Sequence, residues 1–177
     1  IVNNKLIVEG GEEVSIGIKT GKDSVRIQGN YFYNLGEIGG SGGCLVATNA
    51  SGSTKTGLVF SGNTVKGRNA TVAVSVFGFE GTILEGNSFL AGDYQALHVA
   101  PYPSSSQTVD GTVLRGNTFY GISGIVTNPS AYVVNVGYEP FGNYPNGLII
   151  EGNTFKFCGT AVEVWSILLN VMGTGVV

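Results

Sequence analysis

The chain holds a single histidine, His98. Asp93, Asp110 and Glu139 are carboxylates of the same stretch. Imidazole and carboxylate are the side chains best suited to giving and taking protons, so these four are the acid–base candidates. Tyr102, Tyr132, Tyr138 and Tyr144 also fall there, among Pro, Gly, Asn and Ser. A phenol ring offers a flat apolar face and a polar tip. The combination describes a saccharide site. The four tyrosines would hold sugar rings, and His98, Asp93, Asp110 or Glu139 would serve a glycoside hydrolase or a polysaccharide lyase. Cys44 and Cys158 have no metal-ligand spacing, so no metal and no other cofactor is expected.

The bulk composition narrows what can position such a site. The chain has 177 residues, which sets an expectation of one domain spanning 1–177. Charged residues are only 12%, while Gly numbers 29, Asn 15 and Ala 9. This is poor material for helices and rich material for turns. Coiled coils, helix bundles and charged disordered tails are excluded. Nine Lys+Arg against twelve Asp+Glu argue against a nucleic-acid partner. Apolar runs are too short for membrane insertion by a helix. The chain opens on Ile1 with no basic-then-apolar leader, so the expectation is a removed leader or a longer parent chain. Low charge with abundant Gly, Asn, Ser, Thr and Tyr points to an extracellular setting, secreted or on a virion or cell surface.

A repeat organises the sequence. Val25-Arg26-Ile27-Gln28-Gly29-Asn30-Tyr31-Phe32 returns as Leu58–Val65, Thr82–Phe89, Thr112–Phe119 and Leu148–Phe155. The spacings between Asn30, Asn63, Asn87, Asn117 and Asn153 are 33, 24, 30 and 36. A degenerate opening copy is read at Leu6-Ile7-Val8-Glu9-Gly10-Gly11. The internal period is two, so each copy is a short strand ending in a sharp corner. A second strand is aligned at Ile16–Ile18, Leu45–Ala47, Val74–Val76, Leu97–Val99, Ile125–Thr127 and Val162–Val164. Asn and Gly tolerate the left-handed backbone that corners need.

The Gly-Asn-Thr/Ser-Phe corner between short strands resembles the right-handed parallel β-helix of pectate-lyase-like and tailspike-like repeat proteins. The resemblance covers about residues 6–165. It implies an all-β solenoid of about six coils with an Asn corner ladder and a Phe core stack at Phe32, Val65, Phe89, Phe119 and Phe155. It specifies fold and leaves function open, since lyases, hydrolases and passive fibres share the architecture. The Asp-Asp and Asp-His motifs of polygalacturonase-like enzymes are not visible, nor is the Asp cluster that calcium-assisted elimination needs.

Stacking then assigns columns. Glu9, Gln28, Ser61, Glu85, Arg115 and Glu151 form one outward column, a structural charge ladder. Gly17, Val46, Ser75, His98, Val126 and Glu163 form another, beside the long segments 100–111 and 128–147. Cys44 and Cys158 would sit four coils apart, about 19 Å, too far for a disulfide. The apolar stretch from Val164 to Met172 lacks a polar cap and should associate, so a homo-oligomer is expected. Two functions follow. One is a β-helix that recognises, and possibly processes, polysaccharide or cell-surface glycan through Tyr-rich loops on coils four and five. The other is a fibre or surface-layer subunit that assembles by end-to-end or trimeric stacking, without catalysis.

Overall fold

Five Gly-Asn pairs turn the chain from one short strand into the next. Gly29, Gly62, Gly86, Gly116 and Gly152 hold φ between +60° and +63°. A side chain there would cost about 1–2 kcal/mol in backbone strain. A computed structural model of the chain describes residues 1–8, 16–34, 44–47, 53–67, 72–92, 95–101, 107–122, 134–137, 145–156 and 169–171. Among these the regular structure is all strand, with no helix.

The strands are dealt in rotation to three parallel sheets. The first sheet contains β3 (Arg26–Gln28), β7 (Val59–Ser61), β11 (Ile83–Glu85), β14 (Val113–Arg115) and β17 (Ile149–Glu151). The second contains β1 (Lys5–Val8), β4 (Tyr31–Asn34), β8 (Thr64–Gly67), β12 (Ser88–Gly92), β15 (Thr118–Ile122) and β18 (Thr154–Lys156). The third contains β2 (Ile16–Lys19), β5 (Cys44–Ala47), β9 (Val72–Phe77), β13 (Gln95–Ala100), β16 (Val134–Val136) and β19 (Leu169–Val171). A short parallel pair, β6 (Lys55–Thr56) with β10 (Phe79–Glu80), lies outside these sheets. Every strand in the three sheets pairs with its counterpart one repeat away, so equivalent residues stack.

The asparagines lock this stacking. The Oδ1 of Asn63 accepts the backbone N–H of Asn30 at 2.9 Å and its Nδ2–H at 3.0 Å. Asn63 Nδ2 donates back to the Ile27 carbonyl at 2.8 Å and forward to Asn87 Oδ1 at 3.2 Å. The pattern repeats at Asn87 and Asn117. Asn63, Asn87 and Asn117 are at most 1% exposed. A buried amide is tolerable only when its donors and acceptors are all used, and here they are.

The core is filled rung by rung. Phe89 stacks on Phe119 at 4.9 Å, and Phe119 on Phe155 at 4.7 Å. These distances match the spacing of paired strands. Val65 interrupts the column, and Phe60 on the facing strand supplies the missing ring, stacked on Phe32 at 5.9 Å. Neighbouring rungs pair Phe with Ile27, Leu84 or Leu114 at Phe60's position. Volume is thus conserved within each rung although its two sides exchange roles.

The structure corrects three sequence alignments. Lys5–Val8 pairs with Tyr31–Asn34, so Leu6-Ile7-Val8 follows a corner and does not precede one. The first corner asparagine is Asn4, whose N–H donates to Asn30 Oδ1 at 2.9 Å. Asn3, at φ 55°, takes the glycine's place. Val2, not Glu9, aligns with Gln28. Second, Cys44 aligns with Val74, which moves Leu45 and not Val46 into the column of Ser75 and His98. Cys-Leu-Val-Ala is apolar throughout, so a period of two could not fix its face. Third, the partners of Leu97–Val99 are Val134–Val136 and then Leu169–Val171, in place of Ile125–Thr127 and Val162–Val164. Strand β16 therefore falls inside the segment 128–147 that was read as one long loop. Cys158 lies outside the described residues, as do 9–15.

Substituting Asn87→Asp keeps the shape but removes both Nδ2 donors, stranding buried acceptors. Stability should fall by about 3 kcal/mol or more in denaturant melts, against about 1 or less for the exposed Asn4→Asp. Val65→Phe alone should overpack by about 1–3 kcal/mol. Combining it with Phe60→Leu should recover part of that loss, giving a favourable coupling in a double-mutant cycle.

Candidate functional site

His98 sits in the middle of β13, between Leu97 and Val99, which are fully buried in the core. Strand alternation turns it to the opposite face. There it meets Phe77 edge-on, with ring centroids 5.4 Å apart. Ala96 and Ala100 share its parity and are fully buried, whereas His98 as a whole is partly exposed. The His98 Nε2 atom is itself buried and has no hydrogen-bond partner among the described residues. Burial pushes its pKa down from 6.5 to about 4. The imidazole is therefore neutral at neutral pH. The register column through it runs Gly17, Leu45, Ser75, His98, Asn135, Asn170. No charged residue stands in that column, so no carboxylate on these strands is placed to orient the ring or share its proton.

Asp110 is held elsewhere. It belongs to a second corner, which leads from the third sheet's side of the chain into the first sheet. Its Oδ1 accepts the backbone N–H of Asn146 at 2.9 Å and its Oδ2 accepts Asn146 Nδ2 at 3.3 Å. Asp23 repeats the arrangement with Thr56, accepting its N–H at 2.8 Å and its hydroxyl at 3.2 Å. The Thr56 amide, with its hydroxyl and Lys55, holds the Asp23 carboxyl below its ordinary value. Glu80 stands in the same column and accepts the hydroxyl of Thr108. Ser24, Gly57, Gly81, Gly111 and Gly147 follow these positions, all at positive φ.

This second corner was missed in the sequence, although a signal for it exists. Asp23, Thr56, Glu80, Asp110 and Asn146 each stand seven residues before a corner Asn, so their spacings are again 33, 24, 30 and 36. Sequence patterning separates polar from apolar positions but not a catalytic aspartate from a capping one. Here the two carboxylate oxygens decide it, because both are committed to the next repeat.

The charge ladder of the first sheet is present as aligned: Glu85, Arg115 and Glu151 stack in register. Arg115 Nε donates to Glu151 Oε1. Both side chains are half exposed, so the pair contributes at most about 1 kcal/mol. Gln28 donates to Ser61 Oγ at 3.0 Å in the same column.

Asp93, Glu139, Tyr102, Tyr132, Tyr138 and Tyr144 lie outside the described residues. The structure thus places His98 and Asp110 on different parts of the repeat and does not join them into one site. Among the described residues no group of three or more His, Cys, Asp or Glu could hold a metal ion. Comparison of the chain with known families, curated proteins and solved structures finds no match.

The lowered pKa of His98 makes a signed prediction. Between pH 6.5 and about 4 the unfolded chain binds a proton that the folded chain refuses. Stability is therefore full above pH 6.5 and lost as pH falls toward 4, by at most about 3 kcal/mol. Urea midpoints measured between pH 7 and 5, where most carboxylates stay ionised, should drop in the wild type. The drop should flatten in His98→Gln.

Proposed function

We propose that the chain is a right-handed parallel β-helix module that binds extracellular polysaccharide without catalysing a reaction on it. The observation that carries this reading is where the chain varies in length. From the second corner through the asparagine corner to the following strand, every repeat keeps the same residue count. Variation is confined to the connections on the two edges of the third sheet. β12 reaches β13 across two residues, whereas β15 reaches β16 across eleven. Unequal connections on a constant scaffold are the usual place for recognition. The outer face of β13 presents only Ala96, His98 and Ala100, so the contacts would come from the connections themselves, where Tyr102, Tyr132, Tyr138 and Tyr144 stand.

Binding is preferred over hydrolysis or elimination for two reasons. His98 Nε2 is shielded from water and lacks a carboxylate partner among the described residues. Asp110 has both oxygens engaged. A shielded Nε2 and a carboxylate engaged at both oxygens are poorly suited to general acid–base catalysis.

A second reading, a self-stacking structural subunit, draws support from the polarity of the asparagine file. At one end Asn4 Oδ1 accepts nothing among the described residues. At the other, the Asn153 side chain donates, among the described residues, to the Leu114 carbonyl alone. An acceptor end and a donor end fit head to tail.

Two measurements separate these readings. Light scattering and electron microscopy at low concentration should show discrete monomers or trimers; long filaments would overturn the binding reading. A glycan array should then give hits that weaken at least tenfold in Tyr138→Ala.

A further inference from the structure

The outer face of the second sheet is unlike the rest of the molecule. Its six strands contain Lys5, Lys66 and Lys156 and not one Asp or Glu. The chain as a whole carries a net charge of −3. All three lysines are exposed, and Tyr120, at 45% exposure, stands beside them. Along the sheet these residues fall into order. Tyr33, Lys66, Leu90, Tyr120 and Lys156 occupy one register column. Within it a tyrosine followed by a lysine one rung later occurs twice, as Tyr33–Lys66 and Tyr120–Lys156. The two units are three rungs apart, about 14 Å. Lys66 Nζ lies 5.3 Å from the centroid of the Tyr33 ring. Such a cation–π contact holds the ammonium against the sheet and lessens the entropy lost on binding an anion. The parallel column two residues earlier carries the hydroxyls of Thr64, Ser88, Thr118 and Thr154 at strand spacing.

From this we infer that the second sheet is a binding face for a linear anionic polysaccharide, one bearing carboxylate or sulfate groups and lying along the stack. The rings and hydroxyls meet the sugars, and the lysines meet the charges. The surface fits this occupant better than its rivals. Duplex nucleic acid carries a charge roughly every 1.7 Å, and three lysines spread over six rungs neutralise too few of them. A membrane would call for an apolar face rimmed by many cations, and among the described side chains of this face the aliphatic ones are Ile7 and Leu90 alone. The inference is separate from the reading of the third sheet's connections, since it stands on other residues and another face.

The test uses dextran sulfate and unsubstituted dextran, which share a backbone and differ in charge. Immobilised full-length chain should bind dextran sulfate, bind dextran far more weakly, and lose affinity as salt rises from 50 to 500 mM. Lys66→Ala/Lys156→Ala should weaken dextran sulfate at least tenfold with an unchanged melting curve. Lys22→Ala/Lys55→Ala, equal in charge but off this face, should stay within twofold of wild type. Equal losses in both pairs would show net-charge attraction and overturn the inference, as would no loss in either. Tighter binding to duplex DNA or anionic vesicles would overturn it too. Tyr138→Ala keeps the two proposals distinct. Insensitivity to it alongside sensitivity to the lysine pair sinks the reading of the connections and leaves this one standing, and the converse pattern does the reverse.

Discussion

A buried primary amide must find two acceptors and two donors, and in this chain it finds them only in the repeats above and below. Asn63 is the plainest case. Its oxygen takes both protons offered by Asn30, and its nitrogen reaches the Ile27 carbonyl and Asn87. None of these partners is within its own repeat. A slip of one residue at any rung would therefore strand several buried polar groups at once, each at about 1–3 kcal/mol. The requirement fixes the vertical register of the corner. Everything within reach of the corner inherits that register: the Phe89, Phe119 and Phe155 rings, the Glu85–Arg115–Glu151 column and the opposite corner through Asp23 and Asp110.

The same constraint explains what is free. The locked part of each repeat runs from the second corner to the strand beyond the asparagine. Outside it, extra residues do not disturb the file, and lengthening a connection costs only about 0.6 kcal/mol for each doubling. Connections of two and eleven residues can therefore coexist around the third sheet. The scaffold separates the part that must not vary from the part that can acquire recognition. Asp110 shows the cost of ignoring that division. Judged by residue type it is an acid–base candidate; judged by position it is a cap, spending its carboxylate on Asn146.

The sequence made the corner legible because Gly-Asn followed by an aromatic is a rare and local signal, demanded by positive φ and by the amide file together. The parallel all-strand arrangement followed from it. The third sheet was less legible. Ile125-Val126-Thr127 and Val134-Asn135-Val136 are both short runs rich in β-branched residues, and no corner residue marks which one pairs with β13. Cys44 was misplaced because its run has no polar residue to set the face. The opening repeat was misread because Asn3 and Asn4 stand where Gly-Asn stands elsewhere, and asparagine can adopt the left-handed backbone that glycine usually supplies. The burial of His98 Nε2 was out of reach altogether. It depends on what packs beside the strand, Phe77 included, and alternation within a strand says nothing of that.

Charge is distributed by the same stacking logic. Equivalent positions one rung apart are about 4.8 Å from each other, close enough for like charges to repel and unlike charges to attract. On the first sheet, Arg115 stands directly between Glu85 and Glu151, so adjacent rungs alternate in sign. On the second, lysines share a column without any acid, yet Lys66 and Lys156 are three rungs apart. That separation exceeds the screening length of about 8 Å at physiological salt, so their mutual repulsion is slight. A sheet with one sign of charge is sustainable on such spacing, and the tyrosine one rung before each lysine gives it an apolar surface to lie on. The first sheet sets opposite charges against each other in one column, whereas the strands of the second carry lysines and no acid, the condition an anionic chain would need to be drawn there.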